Sequence, residues 1–116
     1  MRKIISFFIV LFFAGNAFAA NLTEEQKIES LLNSLVNDQV TFIRNGEEHN
    51  GIFARQHLTE KLATSKDIKT AKDFIEQVGS ISSHTDQPYV IRLENGNEID
   101  ARKWFLEKLA DLESVQ

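Results

Sequence analysis

The sequence predicts a small α+β domain, mostly helical, with a short antiparallel sheet. Three observations carry that prediction. Apolar residues recur at helical spacing in several separate stretches. Two runs rich in β-branched and aromatic residues, Val40–Arg44 and Tyr89–Leu93, are each followed by an Asn-Gly dipeptide, Asn45-Gly46 and Asn95-Gly96, the strongest short signal for a tight turn. The chain, at 116 residues, has room for one core and no second domain.

The elements follow in order. Thr23 ahead of Glu24, Glu25 and Gln26 makes a capping box with acidic residues in the first turn, where the helix dipole favours them. A first helix is predicted from Glu24 to Val36, with Ile28, Leu31, Leu32, Leu35 and Val36 on its core side. Val40 to Arg44 is a strand that ends at the Asn45-Gly46 turn. A second helix runs from Gly51 to Ala63, a third from Ala71 to Val78 and a fourth from Ala101 to Glu113. Thr70 with Asp73, and Asp100, are the expected N-caps of the last two, and Gly79 the expected C′ residue of the third. Between them Tyr89 to Leu93 pairs with a short arm, Glu98-Ile99, as a hairpin, which the Val40 strand is expected to join. The polar segment Ser80 to Pro88 is the one long irregular stretch, where function tends to sit.

The first 19 residues predict export. Arg2 and Lys3 precede the apolar run Ile4 to Phe13, and Ala17-Phe18-Ala19 offers small residues to a signal peptidase. The run is too short for a membrane span, which needs about 20 residues. Cleavage is expected after Ala19, giving a mature domain of residues 20–116 in the periplasm or outside the cell, with no membrane span after cleavage.

Composition narrows the function. There are no cysteines, which excludes disulfides, thiolate metal sites and a cysteine nucleophile. Without the leader's two basic residues, 11 Lys and Arg stand against 17 Asp and Glu, a formal charge of −6. The basic residues are interleaved with acidic ones, so no nucleic-acid partner is expected. His49, His57 and His84 show no metal-ligand spacing, so neither a metal nor another cofactor is expected.

Phe42-Ile43-Arg44-Asn45-Gly46, Ala54 with His57-Leu58 and Lys61, Thr70-Ala71-Lys72-Asp73-Phe74-Ile75, Ser82-Ser83, Pro88-Tyr89 and the Trp104 helix with Leu109 resemble the bacterial family known as domain of unknown function 5329. The resemblance spans nearly all of the mature chain. It implies a short exported protein without an assigned activity, and brings no catalytic residues with it. The family pattern has Gly where this chain has Asp86, and Leu where it has Phe105.

His57 and Lys61 lie four residues apart beside Ala54 and Leu58, toward the apolar side of the second helix. A lysine there needs a partner, and Asp73, Glu76 or carbonyls of the Ser82 loop are available. One reading is structural, with His57 donating to a backbone carbonyl and Lys61 extending outward over its packed stem. The other joins His57 and Lys61 to Arg44, Asn45, Ser82, Ser83 and Tyr89 as a polar pocket for a small anion, a glycan or a peptide carboxylate, with Arg44 as the bidentate clamp. Arg44 has its own bland alternative, an exposed pair with Glu47 or Glu48. Trp104 and Phe105 are adjacent on the fourth helix, so one of them is expected to be partly exposed as an aromatic platform. The resulting expectation is a cofactor-free binding or interaction module of the bacterial envelope. The alternatives are a small hydrolase using His57 with Ser82 or Ser83, for which no nucleophile motif is present, and a structural partner that buries the fourth helix against another protein.

Overall fold

Local signals account for most of the elements in the computed structural model, which describes residues 22–114; the leader and the cleavage position after Ala19 lie outside the described residues. Helix α1 spans Glu24–Asn37, β1 Thr41–Arg44, β2 Glu47–Asn50, α2 Gly51–Ala63, α3 Ala71–Gln77, β3 Val90–Arg92, β4 Glu98–Asp100 and α4 Ala101–Glu113. Among the described residues, four helices and an antiparallel sheet in the order β2-β1-β3-β4 make the α+β domain that the sequence predicts.

The capping box of α1 forms, Thr23 accepting from the Gln26 amide while Gln26 returns the bond to the Thr23 amide. The same device opens α3 with Thr70 and Asp73. Glu24 also reaches 47 residues along the chain to accept the Ala71 amide at 2.8 Å, capping α3 from the first turn of α1. Asp100 makes no side-chain cap bond, contrary to expectation. The first amide of α4, on Ala101, donates instead to the Tyr89 carbonyl at 2.9 Å, so the hairpin supplies the cap.

Asn45 and Gly46 both have positive φ, 52° and 83°, which makes their turn the two-residue type that matches strand twist. It returns the chain as β2, a strand missing from the elements that the sequence predicts, paired from Arg44↔Glu47 to Thr41↔Asn50. Asn50 then caps α2 by accepting the Phe53 amide at 2.8 Å. The β3–β4 turn places Gly96 at φ 93°, with its amide on the Leu93 carbonyl.

Alternation along the strands separates two faces. Phe42 and Ile91 face each other in register with no exposed surface, and with Leu31, Leu35, Leu58, Phe74, Ile75 and Phe105 they form the core. The outer face carries Arg92, ion-paired to Glu48 and Glu98. Helix α2 packs on β1 and β2, α4 on β3 and β4, and α1 against the other three helices.

Two glycines mark close approaches. A Cβ on Gly51 would stand 2.1 Å from the Leu35 carbonyl oxygen, so α1 and α2 touch through backbone there. Gly79 lacks the positive φ of a C′ glycine, and a Cβ on it would meet the Phe105 ring at 2.9 Å. Trp104 and Phe105 are both buried, at 4% and 0% exposure, which corrects the expected aromatic platform. Helix α4 lies between the sheet and α1 and α3, so neighbouring directions on it both point into protein. Ala101, Trp104, Phe105 and Leu109 of α4 are therefore buried within the domain, while Leu106 and Leu112 keep part of their surface exposed.

Candidate functional site

The seven residues Arg44, His57, Lys61, Ser82, Ser83, His84 and Tyr89 line one cavity of about 150 Å³ at the rim of the core. Six of them are sequence-predicted candidates. Two periodicities bring them together. Arg44 follows Phe42 by two residues and Tyr89 precedes Ile91 by two, so both leave neighbouring strands on the core face. His57 and Lys61 flank the buried Leu58 on α2 and reach the same rim. The segment after α3 closes the cavity. Its ends are tied by Ser82 N donating to the Gln87 carbonyl at 2.9 Å and by Tyr89 N donating to the Ser80 carbonyl at 2.9 Å.

Asn45, the remaining candidate, stands behind the cavity and fixes the loop. Its amide donates to the Ser82 hydroxyl at 3.3 Å, and its carbonyl oxygen accepts from the Thr85 hydroxyl at 2.6 Å. Ser82, fully buried, also accepts from the His84 amide at 3.4 Å. His84 is the lining residue that sequence reasoning left out of the pocket. No spacing signal marks it, because an irregular loop places it.

The lysine has partners other than carboxylates. Lys61 Nζ donates to the Ile81 carbonyl at 2.7 Å and to the Tyr89 hydroxyl at 3.3 Å, and stands 5.0 Å from the centre of the Tyr89 ring. Of the expected partners, only the loop carbonyl serves. Asp73 is used at the start of α3 and Glu76 by Arg102. Glu48 goes to Arg92, and Glu47 lies 3.8 Å from His49, so neither neutralises Arg44. The Nε of Arg44 is buried with no hydrogen-bond partner among the described residues.

His57 Nε2 is 3.4 Å from the Tyr89 hydroxyl, a side-chain contact in place of the backbone carbonyl that the structural reading expects. Burial, helped by Arg44 and Lys61, holds the His57 imidazole below its ordinary pKa, so it is neutral near pH 7. Burial, then Arg44, also lowers that of Lys61, and burial raises that of Tyr89. Among the described residues no Ser–His side-chain hydrogen bond forms: Ser82 accepts from the Asn45 side chain and the His84 backbone amide, while His57 meets Tyr89. A row of stacked rings continues outward along α2. Phe53 lies 3.9 Å from His49 and 5.9 Å from His57, near-parallel to both.

The cavity is a set of donors awaiting an acceptor. Two cations enter it, and none of its seven lining residues is a carboxylate. Ser82 accepts from Asn45 and His84, which leaves its hydroxyl hydrogen to give, while Tyr89 accepts from Lys61 and meets His57 Nε2, whose tautomer sets which of the two donates. Among the described residues no group of acidic and histidine side chains could hold a metal ion, and no helix is long and apolar enough to cross a membrane.

The chain is 40% identical over 92 residues to the uncharacterized protein YfeK of Salmonella typhimurium, a match that covers 77% of each chain. No solved structure matches it. The model of a family of unknown function, DUF5329, matches residues 22–113, which is nearly the whole described domain, and the chain belongs to that family.

Proposed function

We propose that this protein is exported, loses residues 1–19, and works in the periplasm or outside the cell as a cofactor-free binding module whose ligand presents a small anion to the Arg44–Lys61 cavity. One observation carries the anion: two cationic side chains converge on a small cavity whose lining holds no carboxylate, in a chain of net charge −4. Burial first, and then repulsion from Arg44, lower the Lys61 pKa, and an anion between the two cations offsets the second of these. The buried Arg44 Nε, without a hydrogen-bond partner among the described residues, is a donor still to be satisfied. The leader supports export through its basic start, apolar run and Ala17-Phe18-Ala19.

The test of the anion is a titration of acetate and of phosphate into the purified protein, followed by the backbone amide resonances of Ser82, His84 and Tyr89, which wild type and variants share. A saturable shift is expected, weakened at least tenfold in Arg44→Gln and in Lys61→Met. Shifts of equal size in both variants, or shifts spread over surface lysines, would overturn the reading. Export is tested by the mass of the protein recovered outside the cytoplasm, which should begin at Ala20.

A further inference from the structure

Among the described residues, Ile52, Phe53 and Ile81 are the large apolar side chains that remain exposed, at 65%, 37% and 39%. Two of the three border the cavity. Phe53 stacks on His57, which lines it, and the carbonyl of Ile81 receives the Lys61 ammonium. Phe53 and Ile81 are thus exposed apolar neighbours of two lining residues, His57 and Lys61.

The donor set also discriminates between anions. Phosphate sites commonly use clustered backbone amides or a helix N-terminus. Here the loop amides of Ser82, His84, Asp86 and Gln87 are spent inside the loop. Of the side chains that α2 contributes, His57 stands at its middle and Lys61 in its last turn, at the negative end of the helix dipole, where a second negative charge on the ligand is unwelcome. Neutral His57 adds no third positive charge. The planar Arg44 fork can take both oxygens of a carboxylate, with Lys61 and a hydroxyl beside it.

Resting on the anion reading above, we infer that the ligand is a carboxylate bearing an apolar substituent, the carboxylate held by Arg44, Lys61 and the hydroxyl of Ser82 or Tyr89, and the substituent laid on Phe53 or Ile81. Free aliphatic acids and the C-terminal residue of a peptide share this chemistry.

The test compares acetate, hexanoate, inorganic phosphate, and the dipeptide N-acetyl-Ala-Leu with its C-terminal amide, by calorimetry on the wild type and on Phe53→Ser and Ile81→Ser. Both positions are exposed, so unchanged urea midpoints serve as the folding control. Hexanoate or the dipeptide is expected to bind at least tenfold more tightly than acetate, with that advantage lost in one or both variants and the dipeptide amide silent. The tighter of hexanoate and dipeptide then identifies the source. Equal binding of acetate and hexanoate with no gain from the dipeptide, an apolar gain untouched by both variants, or phosphate binding more tightly than every carboxylate would overturn the inference and leave the anion reading standing. Absence of binding by every anion would overturn both.

Discussion

Replacing Lys61 with methionine separates a lysine kept for a ligand from one kept for the fold. Its ammonium donates to the Ile81 carbonyl at 2.7 Å and to the Tyr89 hydroxyl at 3.3 Å. A hydrogen bond from a charged donor contributes about 1.5–3 kcal/mol net, and the cation over the Tyr89 ring about 1 kcal/mol more. Against this stands a partly desolvated ammonium that pairs with no carboxylate and is repelled by Arg44, both of which lower its pKa. Desolvating an ion fully costs several kcal/mol, and a half-buried one roughly half of that. Ile81 is exposed, so water replaces the lost donor at its carbonyl, and the methionine retains most of the packed stem. The opposing contributions cancel to within about 1 kcal/mol, which at an m-value of about 2 kcal/mol/M moves the urea midpoint by no more than about 0.5 M. Anion affinity, in contrast, should fall at least tenfold, about 1.4 kcal/mol. A midpoint lowered by about 1 M or more at unchanged m, with anion binding intact in the folded protein, would refute this reasoning and make Lys61 a structural tie.

Gly51→Ala should cost about 3 kcal/mol or abolish folding, because the added carbon meets backbone, the Leu35 carbonyl, which cannot rotate aside; a thermal melt close to wild type would contradict the contact. Asp86 sits at φ 59°, the left-handed region that suits the glycine of the family pattern, so Asp86→Gly should raise stability by about 0.5 kcal/mol once glycine's extra chain entropy is subtracted, and a measured loss would mean that the carboxylate itself holds the loop. Trp104 is 4% exposed, so its fluorescence should be blue-shifted and poorly quenched by acrylamide, with quenching as efficient as in urea counting against its burial. With the folded pKa of His57 below 6.5, the unfolded chain takes up the proton first, so stability rises with pH up to about 6.5 and falls below it until the folded imidazole protonates as well; His57→Phe should flatten the change in urea midpoint between about pH 7.5 and pH 5, and an identical change in both proteins would count against a buried neutral His57.

Much of this architecture is legible residue by residue. The capping boxes at Thr23 and Thr70, the two Asn-Gly turns and the apolar stripe of α1 are local signals, and each acts where it stands. The candidate site is legible for the same reason, since period two carries Arg44 and Tyr89 and the helical period carries His57 and Lys61. What escapes is set from a distance. Glu47-Glu48-His49-Asn50 has no strand-forming character, and becomes β2 because the turn before it lays it along β1. The choice of Glu48 for Arg92 over Arg44 follows from alternation, which puts Glu48 on the outer face. Trp104 beside Phe105 misleads a one-sided helical wheel, because α4 is covered on more than one side.

The bond from Glu24 to the Ala71 amide makes a short helix depend on a distant one. A helix of seven residues is too short to nucleate alone, and here one of its free amides is satisfied only after α1 has arrived. The stability of α3 thereby leans on the first turn of α1, and with it the upstream anchor of the Ser80–Pro88 loop, where the Ser80 hydroxyl donates to the Ile75 carbonyl of α3. An edit at the amino end that removes Glu24 would therefore be felt first at the loop that closes the cavity, far from the cut.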